Sequence, residues 1–272
     1  MNEQDFTSSD GVKLVYYDWG PPDADTIVLC HGLAATAEQF FDDALFFSKR
    51  FRVLVPDLRG HGRSGSPAPL TAAGFSIERL AADLIEMLDH AKARQVHWVG
   101  NSLGGIVALE MLAANRFATL ATFGTTYTIQ LPQIGGHRLV PLGHRLLGRQ
   151  AAAAITANST SRDPAARRLI EKILRDMRPD VTAILAGVLT RYDLIAKGVA
   201  ATLPILMLRG GQDRLVNAGL GSTLAAMRKK SNFRLVDLPM GGHCANLDAR
   251  DAFRAALLDF WKDASPSPAP GR

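Results

Sequence analysis

Three residues of this chain, in the order Ser102, Asp213 and His243, have the types needed for nucleophilic catalysis. Ser102 lies in Val99-Gly100-Asn101-Ser102-Leu103-Gly104-Gly105, a G-x-S-x-G pattern between the short apolar run 96–99 and the helix-favouring stretch 106–114. A serine hydroxyl is a poor nucleophile at neutral pH. It needs an imidazole to take its proton, and the imidazole needs a carboxylate to hold its tautomer. A strand that turns sharply into a helix can present such a serine in a strained conformation when the residues two before and two after it lack side chains. Gly100 and Gly104 meet that requirement. Asp213 follows the apolar run 204–208, and His243 occupies the loop 239–246 ahead of the last helical pattern. The competing readings are a plain glycine-rich turn, a helix-capping aspartate and an exposed loop histidine. The order serine, acid, histidine accompanies the elbow pattern and favours the chemical reading of all three.

Short buried strands alternating with helices would bring these positions together. Residues 7–19 read as two strands joined at Asp10-Gly11. The wholly apolar run 26–30 is of the kind buried on both faces of a parallel sheet, and it ends in His31-Gly32-Leu33-Ala34. A helix over 38–48, a strand over 51–55, a helix over 75–91 with Ser76 as a cap, the strand 96–99 and a strand over 120–124 continue the alternation. Residues 127–202 break it: glycines and prolines from Pro132 to Gly148 precede helical patterns over 150–156, 164–177 and 181–189, so an all-helical insertion is expected. The alternation resumes with a strand at 204–208, a helix over 220–229, a strand over 233–238 and a helix over 251–262. This pattern predicts an α/β fold, a mostly parallel sheet of about eight strands with helices on both faces. The core would comprise residues 1–126 and 203–264, the insertion 127–202 would follow the sixth strand, and the Pro- and Ser-rich 265–272 would be a disordered tail.

A chain of 272 residues, 47% hydrophobic, can bury a sizeable core. Its first residues have neither a basic leader nor an apolar core, and no apolar run approaches the ~20 residues of a membrane span, so a cytoplasmic protein with no membrane partner is expected. Cys30 and Cys244 make neither a disulfide framework nor a metal motif, and no cofactor and no metal are expected. The net charge of +5 comes from a basic excess within 127–202. No aromatic-interleaved basic stripe accompanies it, so no nucleic acid partner is expected. Arg162, Arg167, Arg168, Lys172 and Arg175 read as solvating outer helix faces, with electrostatic steering of an anionic substrate as the sharper alternative. Gly60, Gly62 and Gly65 spell G-x-G-x-x-G, but the two prolines in 66–73 replace the helix that a dinucleotide site requires, and a surface loop is preferred.

From His31-Gly32 through the loop 57–64, the elbow, Gly210–Asp213 and Gly241-Gly242-His243, the chain resembles the α/β-hydrolase family over nearly all of residues 10–263. The resemblance implies a helical cap over 127–202 and an oxyanion hole made by the backbone amides of Leu33 and Leu103. His31 would order the oxyanion loop, Asp57 would hydrogen-bond its own loop, and Asn101, His31, Gly32 and Tyr127 are candidates to meet the substrate. His61, His90, His97, His137 and His144 lack a paired acid and read as surface or packing residues. A serine where some relatives carry an aspartate disfavours dehalogenase and epoxide hydrolase activities. The expected activity is hydrolysis of a small-molecule ester or lactone by a monomer or homodimer. Asn101 before the serine is similar to the carbon–carbon hydrolases of aromatic ring-cleavage products. Those enzymes commonly have Trp after the histidine, where this chain has Cys244. An inactive ligand-binding receptor is the alternative of another class.

Overall fold

The chain enters its sheet as an antiparallel hairpin, β1 (Asn2–Thr7) and β2 (Lys13–Trp19), with Phe6 opposite Leu14. The computed structural model describes residues 1–130 and 136–264, by backbone alone at 136–147, 215 and 264. The first strand was expected to start at Thr7, where it in fact ends. Its polar residues 2–5 show no apolar alternation because they lie on a sheet edge, and the Val12 N–H donating to Ser8 Oγ closes the turn.

Next come β3 (Thr26–Cys30), α1 (Phe41–Phe47), β4 (Arg52–Asp57), α2 (Ile77–His90), β5 (Val96–Asn101), α3 (Leu103–Met111) and β6 (Phe117–Phe123). After the inserted segment the chain returns through β9 (Ile205–Gly210), α8 (Arg214–Gly219), α9 (Gly221–Met227), β10 (Phe233–Leu238), α10 (Ala245–Asp248) and α11 (Arg250–Ala264). The eight-stranded sheet runs β1-β2-β4-β3-β5-β6-β9-β10 and is parallel from β4 onward. β3 is buried along its whole length, as a strand covered on both faces must be. Its side chains divide by parity. Val28 joins Leu54, Trp98 and Leu120 under α2 and α3, while Ile27 and Leu29 join Val53, Val99 and Phe123 under α1 and α11. Ser76 Oγ accepts the Arg79 N–H and starts α2, as its sequence predicts.

The inserted segment contains β7 (Thr128–Gln130), α4 (Gly136–Thr160), α5 (Pro164–Asp176), α6 (Pro179–Val188), β8 (Arg191–Asp193) and α7 (Ile195–Ala200). The expectation of an all-helical insertion is therefore corrected: β7 and β8 pair antiparallel, Ile129 opposite Tyr192, and draw its two ends together. Asp163 caps α5 through a 2.7 Å bond from the Ala166 N–H, with Pro164 in the first turn. The tail expected over 265–272 and the roles expected of His137 and His144 lie outside the described residues and side chains. Among the described residues, no helix is long and apolar enough to cross a membrane.

Candidate active site

The turn from β5 into α3 holds Ser102 at φ 49°, ψ −113°, a costly backbone conformation for a residue with a side chain. Its N–H donates to the Phe123 carbonyl at 2.9 Å, and its carbonyl accepts the Gly105 and Ile106 N–H groups, both at 3.0 Å. The flanking glycines are required sterically. A Cβ on Gly100 would lie 2.5 Å from the Gly104 carbonyl carbon, and one on Gly104 would strike the Cys30 carbonyl. The Ser102 side chain does not cap α3, so its hydroxyl is not spent on the helix. Leu103 is the first residue of α3, and its N–H has no intrahelical acceptor.

The loop after β3 runs beside the elbow, where a Cβ on Gly32 would lie 3.1 Å from Ser102 Cβ. Two buried histidines fix this loop. His31 Nε2 accepts the Leu58 N–H at 3.0 Å, so its Nδ1–H donates to the Gly32 carbonyl at 2.8 Å. His61 Nε2 accepts the N–H of Ala34, which has φ 58°, and its Nδ1–H donates to the Arg59 carbonyl at 2.9 Å. The rings sit 5.1 Å apart. Burial lowers the pKa of His31 to about 4; burial and the neighbouring His31 lower that of His61 to about 3. Asp57 accepts from the Ala37 and Arg63 N–H groups at 2.8 and 2.9 Å and so ties this loop to the one after β4.

Asp213 stands at the end of the turn after β9 and does two things at once. Oδ1 accepts the Val216 N–H and caps α8, while Oδ2 accepts the His243 Nδ1–H at 2.9 Å. The capping role weighed against the chemical one is thus present alongside it. With the proton on Nδ1, the imidazole lone pair is on Nε2. The ring lies over the end of β6, where a Cβ on Gly124 (φ 58°) would be 3.2 Å from His243 Cε1. The histidine loop is clasped on both sides. The His243 N–H donates to the Thr160 carbonyl at 3.1 Å, and its own carbonyl accepts from Asn101 Nδ2 at 3.0 Å. Asp248 Oδ2 accepts the Gly242 N–H at 2.8 Å, while Oδ1 accepts from Ser161 Oγ.

A cavity of about 80 Å³ opens between this assembly and the insertion, lined by Gly32, Leu33, Gln39, Asn101, His243, Cys244 and Leu247 with Thr156 and Thr160 of α4 and Ile170, Ile173 and Leu174 of α5. Among the described residues, no Asp, Glu, Lys or Arg lines it. Three basic residues of the insertion are engaged elsewhere: Lys172 pairs with Glu38 at 2.6 Å on the surface, Arg175 with Glu171, and Arg167 donates to the Ser161 carbonyl. Among the described residues, no three His, Cys, Asp or Glu side chains gather as a metal site would require. Cys30 and Cys244 are buried. Burial raises both thiols, that of Cys244 to about 12, which leaves them protonated and unreactive.

Two expected substrate contacts are placed differently. Tyr127 is fully buried; its hydroxyl meets Thr122 Oγ1 at 3.3 Å and its ring packs beside Gly198 and Met227, away from the cavity. His31 is also fully buried and both ring nitrogens hold backbone groups, so it serves the loop and not a ligand. Gly32 and Asn101 do line the cavity, but the Asn101 amide is committed to the Phe123 and His243 carbonyls and to Gln39.

The model of the alpha/beta hydrolase family matches residues 27–256. The chain belongs to this family. The α/β-hydrolase is 29% identical over 254 residues to "Putative carbamate hydrolase RutD" of Stutzerimonas stutzeri (strain A1501), covering 88% of this chain and 92% of that protein. Its structure is similar to that of a hydrolase from Pseudomonas aeruginosa PA01, with TM-score 0.82, 26% identity, and coverage of 96% of this chain and 98% of that one. It shares its fold with the enol-lactonase from Burkholderia xenovorans LB400, with TM-score 0.82, 24% identity, and coverage of 95% and 100%. The protein is a hydrolase. The α/β-hydrolase also uses residues that its sequence does not single out. His61 was read as packing yet shapes the loop bearing Leu33. Gln39 and Asp248 carry no motif, and only their nearness in sequence to His31 and His243 hints at a role.

Proposed function

We propose that this hydrolase cleaves a small carboxylic ester or lactone through an acyl-enzyme intermediate. The 2.9 Å Asp213–His243 bond, in a loop whose His243 carbonyl is held by Asn101 next to Ser102, carries this reading. Ser102 Oγ forms a bond to the substrate carbonyl carbon while its proton passes to His243 Nε2, and the carbonyl π electrons move onto oxygen. The amides of Leu33 and Leu103 stabilise that oxyanion; one such donor is worth about 10² to 10³ in rate. Collapse breaks the bond to the leaving oxygen, which takes the proton from His243. Water then repeats the sequence, with His243 as base, and releases the acid and Ser102. Asp213 holds the tautomer and stabilises the imidazolium. The insertion acts as a cap, closing the site with Thr156 and Thr160 of α4 and apolar side chains of α5, and the exclusion of water strengthens these electrostatic terms. The relatives named as esterases, an enol-lactonase and a carbamate hydrolase support acyl chemistry of this kind.

Carbon–carbon bond hydrolysis draws less support. The Asn101 amide is spent within the protein, and among the described residues no cation lines the cavity to meet the charge of a ring-cleavage acid. A fluorophosphonate probe should label the native protein and not Ser102→Ala, and the labelled protein should lose turnover of short p-nitrophenyl esters. Absence of labelling, or equal labelling of the variant, overturns the proposal in favour of an inactive receptor.

A further inference from the structure

Asn246 stands three residues after His243, in α10, fully buried and outside the cavity wall. Its Nδ2 donates to the Gln39 carbonyl and to Asp43 Oδ2, both at 3.0 Å, and its Oδ1 accepts from Gln39 Nε2 at 3.2 Å. Gln39 Nε2 also donates to Asn101 Oδ1, at 3.0 Å. Asn101 Nδ2 in turn donates to the Phe123 carbonyl at 3.2 Å and to the His243 carbonyl at 3.0 Å. These bonds close a circuit: from His243 along the backbone to Asn246, across Gln39 to Asn101, and back to the His243 carbonyl. Asn101 is the covalent neighbour of Ser102, so the circuit joins the nucleophile elbow to the histidine loop, two segments far apart in the chain.

Each of the three amide nitrogens meets two acceptors, so none of the groups can turn round without losing bonds. The circuit is anchored to two helices as well: Asp43 belongs to α1 and accepts from Arg254 Nε of α11 at 2.7 Å. All of this is dry, with Gln39 and Asn101 only 2% exposed and Asp43 1%. Buried amides and ions stabilise a fold no better than apolar side chains of the same shape would, but they fix distances and directions that apolar packing leaves loose. We propose that Asn246 is a positioning residue of the reaction: through Gln39 and Asn101 it fixes the backbone of His243 against the elbow, so that the imidazole keeps its place relative to Ser102. This inference rests on the hydrolase reading above. Asp213 orients the imidazole from its Nδ1 side, and the circuit holds the backbone from which that imidazole hangs.

Asn246→Ala opens the circuit and should lower kcat on p-nitrophenyl acetate about 10- to 100-fold, with KM changed less than about 3-fold. The decisive measurement is a double-mutant cycle with His243→Ala, which retains the slow turnover that the oxyanion hole supports. A residue that acts through the imidazole has nothing left to act on there, so adding Asn246→Ala to His243→Ala should change the rate by less than about 2-fold. A merely structural residue would cost the same factor in both backgrounds. Gln39→Met keeps the side-chain length, removes Nε2 and opens the circuit at another member, so it should give the same pattern even where Asn246→Ala folds poorly. Circular dichroism shows which variants are folded. Native kcat in the folded variants, or equal losses with and without His243, overturns the inference while the hydrolase reading stands. A native protein that takes no fluorophosphonate label overturns the hydrolase reading and this inference with it.

Discussion

Asp213 shows how much one carboxylate can do at the end of a strand. One oxygen caps α8 and the other accepts the His243 Nδ1–H, so the cap and the catalytic role proposed above fall to different atoms of the same group. Asp213→Asn can keep the cap through Oδ1, but its NH2 then faces Nδ1 and drives the imidazole proton to Nε2. The expected outcome is a fall in kcat of about 10³ to 10⁴ with little change in melting temperature. Asp213→Ala should lose the same activity and also about 1 kcal/mol of stability with the cap. Steady-state kinetics and thermal melts on the two variants separate the roles, and equal melts with intact activity in Asp213→Asn would refute them. The positions of Ser102, Asp213 and His243 were legible because each follows a recognisable strand and their order is itself a signal. The roles of Asn101 and Tyr127 were not. A side chain's partners depend on residues far along the chain: Thr223 Oγ1 accepts the Tyr127 N–H, and the His243 carbonyl accepts from Asn101.

At the scale of elements, the end of α4 and the turn into α5 do more than cover the cavity. Thr160 offers its carbonyl to the His243 N–H, and Ser161 and Gly242 are joined through the two oxygens of Asp248. A Cβ on Gly242 would lie 2.6 Å from the Thr160 carbonyl oxygen, which shows how closely the insertion grips this loop. Asp248→Ala frees the Gly242 N–H and Ser161 while leaving Asp213 and His243 chemically intact. Small misplacements of catalytic groups cost up to about 10²-fold, so kcat should fall about 10- to 100-fold with a smaller change in KM. A variant with native kcat would show that the clasp does not position the histidine. The helices α5 and α6 were readable as helical patterns over 164–177 and 181–189, although α6 opens earlier, at Pro179. The ribbon of β7 and β8 was not, because three-residue strands are too short to show alternation and are defined by each other.

Across the whole molecule, the loops bearing the site are pinned by buried polar groups whose charge state is part of the fold. His31 and His61 are neutral when folded, with pKa values near 4 and 3, and bind protons more readily when unfolded. Their stabilising effect is therefore complete above about pH 6.5 and is withdrawn as pH falls below it, at about 1.4 kcal/mol per ring and pH unit. Burial raises the carboxyls of Asp43, Asp57 and Asp83, and these act with the opposite sign. Comparison with His61→Gln isolates the histidine: between pH 7.5 and pH 5 the native protein should lose about 2 kcal/mol more stability than the variant. Parallel denaturation curves at the two pH values would refute this. The fold class was legible from the alternation of apolar runs and helical patterns, whereas the pairing order, which places β4 between β2 and β3, was not.

The sheet parity that divides the two cores has a further consequence, for how the protein fails on heating. Inner strands such as β3, and residues 205–208 of β9, are continuous buried runs, shielded only while helices cover both faces. The edge strands β1 and β10 carry charges instead, with Asp5 of β1 paired to Lys13 and Asp237 of β10 paired to Arg209 at the end of β9. Once the helices detach, the unguarded inner runs can pair with those of other molecules faster than the sheet re-forms. Heat inactivation then becomes a matter of rate: the apparent melting temperature should rise with scan rate and fall with protein concentration, and a midpoint independent of both would refute it.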